Sequence, residues 1–130
     1  MSLYLCVFDG EQEMEGIEVG SYASFNSFRS YVVREIEGGT PGSSFPTLVL
    51  HSDSDGEWPL QDCVCLRSEL GSIRATMVGR PPVTPADGFS GPPPENALES
   101  FRDVDGQLLV ERMQTLVEVA IQRGRPILFQ

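Results

Sequence analysis

The chain has 130 residues, of which 19 are acidic and nine basic, and its formal net charge is −10. A protein that binds nucleic acid or an anionic membrane needs basic patches on its surface, so neither is expected as a direct partner. The length suits one domain, and 40% hydrophobic residues suffice for a core. No stretch approaches the ~20 apolar residues that cross a bilayer, and the N-terminus lacks the basic segment of a signal peptide. A cytoplasmic protein is therefore predicted.

The negative charge is concentrated in the first half of the chain. Residues 1–62 hold eleven acidic and two basic residues, whereas residues 63–130 hold eight acidic and seven basic ones. The formal charges of the two halves are therefore −9 and −1. Such an asymmetry indicates an interaction surface, although a solvated acidic face that only aids solubility would have the same composition.

A strand hairpin and a helix are predicted first. The apolar run at residues 3–8 ends at Asp9-Gly10, which indicates a buried strand and a turn. Residues 11–16 are acidic and turn-like, and the alternation at residues 17–19 predicts a return strand. Apolar side chains then recur every three or four residues from Phe25 to Ile36, which predicts a helix. Glu37, near the end of that helix, is expected on its outer side.

A third strand and a second helix are predicted next. Residues 45–50 form another apolar run, which predicts a strand ending just before His51. Pro59 suits the first turn of a helix. The residues after it carry an apolar stripe at helical spacing, consisting of Cys63, Leu66, Leu70, Ile73 and Met77.

A Pro/Gly-rich loop is predicted at residues 79–94, since six of the ten prolines lie at positions 81–94. The part after it is too small to fold alone, so the loop is not a domain linker. A third helix ends at Gly124, and residues 126–129 form a last strand. This order predicts a single α/β (α+β) domain over residues 1–130, with a mixed sheet of about four strands packed with three helices.

The cysteine pattern does not favour disulfides or metal. An odd count of three without a secretion signal fits reduced thiols. Cys6 is expected in the core, while Cys63 and Cys65 diverge on a helix and are poorly placed to hold one metal ion together. The acidic turns at Gly56 and Gly106 lack the end ligands of an EF-hand. No metal and no cofactor are therefore predicted.

His51, with Asp53, Asp55 and Glu57, is the best candidate for a catalytic cluster. It follows a predicted strand, where α/β active sites form, and a histidine beside carboxylates can act as a general base. The adjacent Ser52 has no nucleophile-elbow motif around it, and the chain has no Gly-rich phosphate loop. A small cytosolic enzyme or metal-dependent domain that uses this cluster is the alternative function.

Trp58 is the only tryptophan and lies between an acidic residue and a proline. Two interpretations are open. The indole ring either covers the entry of the following helix, or it anchors a partner at the centre of an acidic surface.

Five segments of the chain together resemble a known family. They are residues 4–9 (YLCVFD), 16–22 (GIEVGSY), 45–53 (FPTLVLHSD), 56–58 (GEW) and 124–130 (GRPILFQ). They resemble the bacterial immunity proteins of family 70, which are encoded beside polymorphic toxins. The resemblance implies a small non-catalytic protein that binds and blocks a cognate toxin, and it implies no particular toxin-contact residues.

An acidic inhibitor suits a toxin with a basic surface, such as a nuclease, because it can imitate the phosphate backbone and gain steered association. The hypothesis is a partner-binding face made of Glu11, Glu13, Glu15, Glu18, Asp53, Asp55, Glu57 and Trp58. The loop at residues 79–94 is a second candidate surface. An exposed edge at residues 126–129 could pair two copies, and the sequence leaves the oligomeric state open.

Overall fold

One antiparallel sheet, with strand order β2-β1-β4-β3, organises the chain. The computed structural model describes residues 2–83 and 93–130. The elements are β1 (Ser2–Asp9), β2 (Gln12–Ser21), α1 (Tyr22–Glu35), α2 (Pro46–Val49), β3 (Glu57–Trp58), α3 (Leu60–Val78), a 3-10 turn (Leu98–Ser100), α4 (Leu109–Arg123) and β4 (Ile127–Phe129). The α+β class with four strands is confirmed. The sheet is not mixed, because every neighbouring pair of strands runs antiparallel.

The hairpin of β1 and β2 is longer than predicted. Its turn is confined to Gly10 and Glu11, and Gly10 has a φ of +68°, which favours glycine. The acidic stretch predicted as a turn is therefore mostly strand. Two bulges interrupt the pairing, one between Leu3 and Tyr4 and the other between Val7 and Phe8.

The two faces of the sheet differ in what covers them. Alternate residues of β1 point to opposite faces, and Leu3, Leu5 and Val7 pack in the core with the helices. Tyr4, Cys6 and Phe8 point the other way and lie outside that core. We call this second face, which also carries Gly16 and Leu128 opposite Cys6, the open face.

The predicted first helix is present and begins at Tyr22, and Ser21 caps it by accepting a hydrogen bond from the Ser24 amide at 3.0 Å. The prediction that Glu37 lies outside is wrong, because its side chain folds inward and the residue is only 8% exposed. Its carboxylate accepts hydrogen bonds from three backbone amides of the following loop, those of Gly42, Ser44 and Phe45. Glu37 therefore organises the entry to α2.

The predicted strand at residues 45–50 is instead the short helix α2. A short apolar run does not distinguish strand from buried helix, and here Pro46 starts a helical turn. The Glu69 carboxylate of α3 accepts hydrogen bonds from the Thr47 and Leu48 amides at 3.2 and 3.1 Å. A carboxylate at a helix N-terminus satisfies amides that have no partner within the helix.

The third strand is formed by Glu57 and Trp58, which pair with β4. The prediction of an exposed edge at residues 126–129 is wrong, because β4 lies between β1 and β3. Two backbone carbonyls of β2, at the other edge of the sheet, already have hydrogen-bond donors. The Glu18 carbonyl accepts a hydrogen bond from the Val104 amide, and the Gly16 carbonyl accepts one from the Arg112 side chain. Occupied edge groups oppose pairing with another chain.

The two long helices after β3 agree with their predictions. The five apolar residues predicted for α3 are all buried, and α4 ends at Gly124 with a φ of +65°. On α3, Cys63 is buried and Cys65 exposed, as their divergence predicts. Within the described ranges, no helix is long and apolar enough to cross a membrane. The centre of the predicted loop, residues 84–92, lies outside the described residues.

Candidate partner-binding surface

The predicted acidic residues lie at two opposite edges of the sheet. Glu13, Glu15 and Glu18 belong to β2 at one edge, while Glu57 belongs to β3 at the other. Three strand spacings separate these edges, which corresponds to about 14 Å. The acidic residues therefore form two rims of one sheet and not a single cluster.

The bulge between Val7 and Phe8 sends Glu13 and Glu15 to opposite faces. Glu15 pairs with Val7 and Glu13 with Phe8, so Met14 is the extra residue in β2. Directly paired residues of antiparallel strands share a face. Glu13 therefore lies on the open face with Phe8, while Glu15 lies on the helix-covered face with Val7.

Glu15 is engaged within the molecule. Its carboxylate lies 3.6 Å from Arg112 of α4, and the same arginine lies 3.4 Å from the buried Asp103. Arg112 also donates to the Gly16 carbonyl at 2.7 Å. These contacts tie α4 to β2, so Glu15 contributes to packing and is not a free carboxylate of the predicted face.

Glu18 and Glu57 share the open face with Glu13. Glu18 pairs with Tyr4 in the register of β1 and β2. At the opposite edge, Glu57 pairs with Leu128, which in turn pairs with Cys6. All three glutamates are exposed, and in the described part of the chain none of them forms an ion pair with arginine.

Tyr4 crosses the open face diagonally. Its hydroxyl donates a hydrogen bond to the Glu13 carboxylate, and this bond is the main cause that raises the pKa of Tyr4 to about 12. The ring passes over Gly16, where a Cβ atom would lie 2.6 Å from the Tyr4 Cζ atom. The absence of a side chain at Gly16 therefore allows the contact between Tyr4 and Glu13.

Cys6 is fully buried although it points away from the helices. Its neighbours on the open face are Tyr4 and Phe8 on its own strand and Leu128 opposite. Burial, and then the nearby charge of Glu13, raises the pKa of the Cys6 thiol. The centre of the open face is therefore apolar and closely packed, with Tyr4, Phe8 and Leu128 each half-buried.

Asp53 is held by a hydrogen-bonded chain from α1. The Asn26 side chain donates to Asp53 at 2.7 Å and accepts from Arg29 at 2.6 Å. Arg29 also donates to the His51 carbonyl at 2.6 Å. The bond from Asn26 lowers the pKa of Asp53, and burial lowers the pKa of Arg29. Asp53 thus fixes the loop before β3.

Trp58 is not a surface anchor, because it is only 1% exposed. Its indole nitrogen donates to the Thr47 carbonyl at 3.0 Å, and its ring packs edge-on against Phe129. The interpretation of Trp58 as an exposed contact is therefore wrong. It joins α2 to the sheet beneath the acidic loop.

The prediction that His51 follows a strand is wrong, because residues 46–49 are helical. Its ring stacks on Phe129 with the ring centres 4.2 Å apart. Both ring nitrogens lie at hydrogen-bond distance from backbone carbonyls, Nδ1 from that of Ser52 and Nε2 from that of Glu57. Both ring nitrogens therefore face backbone carbonyl oxygens, one in the loop before β3 and one in β3 itself.

Two of the predicted acidic residues remain in exposed turns. Glu11 lies in the β1–β2 turn, and Asp55 lies in the loop before β3. Over residues 2–83 and 93–130, no group of three or more His, Cys, Asp or Glu side chains is arranged to hold a metal ion. Glu11 and Asp55 therefore extend the two acidic rims without forming a metal site.

The sequence prediction missed the residues at the centre of the open face, Tyr4, Phe8 and Leu128. The run from residue 3 to residue 8 is apolar throughout, which predicts a strand buried on both faces. The one available signal was Tyr4, whose polar hydroxyl favours a half-buried position.

The fold and the surface can be compared with known proteins. Comparison with curated proteins and with solved structures returned no match. The family model described as immunity protein 70 matches residues 3–129, which is nearly the whole chain. The match spans all four strands and all four helices, and with it the open face and both acidic rims. The chain therefore belongs to the immunity protein 70 family, whose members have a toxin-neutralising role.

Proposed function

We propose that this protein neutralises a cognate toxin by binding it through an acidic surface and occluding its active site. The observation that carries the proposal is that five of the eight predicted contact residues are exposed carboxylates without an arginine ion pair in the described chain: Glu11, Glu13, Glu18, Asp55 and Glu57. Free carboxylates keep their charge available to an incoming basic protein.

Most arginines are already committed within the molecule. Arg67 and Arg74 of α3 pair with Glu118 and Glu111 of α4, and two arginines near β4 pair with Asp9. The ion pairs between α3 and α4 neutralise the helical side locally. This supports an interaction surface on the sheet rather than an even acidic coat.

A nuclease is the toxin class that best fits this charge. A nuclease binds a polyanion in a basic cleft, and an acidic inhibitor can fill that cleft with steered association. The proposed inhibition is stoichiometric and non-catalytic. The buried Cys6 and Cys63 and the exposed Cys65 are free thiols, which supports a reducing, cytoplasmic setting.

The test uses the toxin domain encoded by the neighbouring gene. Its activity is titrated with the full-length protein, and binding of a catalytically inactive form is measured by calorimetry at several salt concentrations. We expect inhibition to be complete when one equivalent of the protein has been added. We also expect its affinity for the toxin to fall as the salt concentration rises.

Two results would contradict the proposal. Complete inhibition by far less than one equivalent would indicate turnover and favour the enzymatic alternative, for which His51→Gln is the diagnostic variant. An affinity that does not change with salt would exclude the acidic surface as the source of binding. The conservative variant Cys65→Ser serves as the control, since it alters an exposed side chain without changing charge.

A further inference from the structure

We infer that the toxin docks on the open face, with Tyr4, Phe8 and Leu128 as its apolar centre and Glu13, Glu18 and Glu57 as its charged rims. This inference rests on the proposed function and names its surface. It differs from the hypothesis drawn from the sequence, because Glu15, Asp53 and Trp58 are used inside the fold.

The arrangement has the composition of a protein interface. Specific interfaces combine an apolar, often aromatic centre with a polar rim. Here the three central residues are half-buried beside the fully buried Cys6, while the three glutamates are exposed. The face lies outside the core formed with the helices. A partner would therefore bury an apolar centre that no described helix covers.

The dimensions fit one partner. The two rims are about 14 Å apart across the sheet, whereas a standard interface covers about 800 Å² on each partner, a patch roughly 28 Å wide. A single basic protein can therefore contact Glu18 on β2 and Glu57 on β3 at the same time.

Charge decides between a toxin and a second copy of this chain. Each copy has a formal charge of −10, so pairing two open faces would bring glutamates against glutamates at both rims. Like charges across an interface oppose association. A basic partner instead makes favourable charge interactions at both rims, and this charge complementarity favours the toxin as the protein that binds the open face.

The test compares variants with matched charge. The double variant Glu18→Lys/Glu57→Lys is compared with the double variant Glu35→Lys/Glu118→Lys. Glu35 and Glu118 lie on α1 and α4, and the two double variants change the net charge equally. Leu128→Lys is compared with Leu50→Lys, which alters an exposed leucine outside the sheet. Binding to the inactive toxin domain of the neighbouring gene is measured at low salt, and circular dichroism checks each fold.

We expect each of the two open-face variants, Glu18→Lys/Glu57→Lys and Leu128→Lys, to weaken binding about thirtyfold or more, as loss of a hot spot does. The two control variants are expected to bind the toxin within threefold of wild type. Tyr4→Phe, which keeps the ring and the fold, is expected to change affinity by less than Leu128→Lys. If the open-face variants bind like wild type while wild type binds the toxin, the inference is wrong and the proposed function stands.

Other outcomes separate the two proposals. A wild-type protein that does not bind the toxin would overturn the proposed function itself. If the matched helix variants weaken binding as much as the open-face variants, net charge and not this surface carries the interaction. A free protein that is dimeric, and becomes monomeric on Leu128→Lys, would show that the open face binds a second copy.

Discussion

The hydroxyl of Tyr4 on β1 donates a hydrogen bond to the carboxylate of Glu13 on β2. The bulge between Val7 and Phe8 makes this contact possible, because it turns Glu13 onto the face of the sheet that carries Tyr4. The bond links the aromatic centre of the open face to one of its acidic rims.

Replacing Glu13 by Gln should return the pKa of Tyr4 from about 12 toward the ordinary tyrosine value of 10. Glu13 favours the protonated phenol because its carboxylate accepts a hydrogen bond from the hydroxyl and repels the phenolate. Because the folded pKa is raised, this contribution to stability is present below pH 10 and is lost as the pH rises through 12. Ultraviolet titration of phenolate formation measures the shift, and Tyr4→Phe identifies which of the three tyrosines is responsible.

Gly16→Ala should destabilise the protein by about 1 kcal/mol, because the new methyl group displaces the Tyr4 ring and breaks its hydrogen bond. Gly71→Ala is the matched control. It lies inside α3, and apart from its chain neighbours and its own helix backbone no atom lies within 4 Å of the added Cβ, so it should stabilise by about 0.5–1 kcal/mol. Urea unfolding measures both changes. Equal effects of the two substitutions would argue against the close passage of Tyr4 over Gly16.

Glu37→Gln should lower the free energy of unfolding by about 2 kcal/mol. The carboxylate accepts three hydrogen bonds from backbone amides, and a bond to a charged group contributes more than a neutral one. Glu35→Gln, two residues earlier on the exposed surface, should change stability by less than about 0.5 kcal/mol. Chemical denaturation compares the pair, and similar losses in both would refute the role of Glu37.

Only Cys65 should react rapidly with a thiol reagent in the native protein. Burial raises the pKa of Cys63 to about 11 and also raises that of Cys6, whereas Cys65 is exposed. Both exposure and thiolate formation limit the reaction. We expect one labelled thiol in the native protein, three after unfolding and none in native Cys65→Ser. Fast native labelling of that variant would mean that Cys6 or Cys63 is accessible.

Elements that depend on local periodicity are predictable from the amino-acid sequence. The apolar stripe of α3 and the glycine that ends α4 both follow from contacts a few residues apart. The concentration of charge in the first half of the chain was equally readable.

Whether a carboxylate is engaged by an arginine or asparagine side chain depends on contacts between distant parts of the chain. Glu15 and Asp53 match the other acidic residues in composition, but they are engaged by Arg112 and Asn26, which are 97 and 27 positions away. The helix at residues 46–49 depends in the same way on Glu69. Such contacts join distant parts of the chain, so no local sequence pattern predicts them. The bulge is equally hidden, because its one extra residue moves Glu13 to the opposite face of the sheet from Glu15 without changing the hydrophobic periodicity of the sequence.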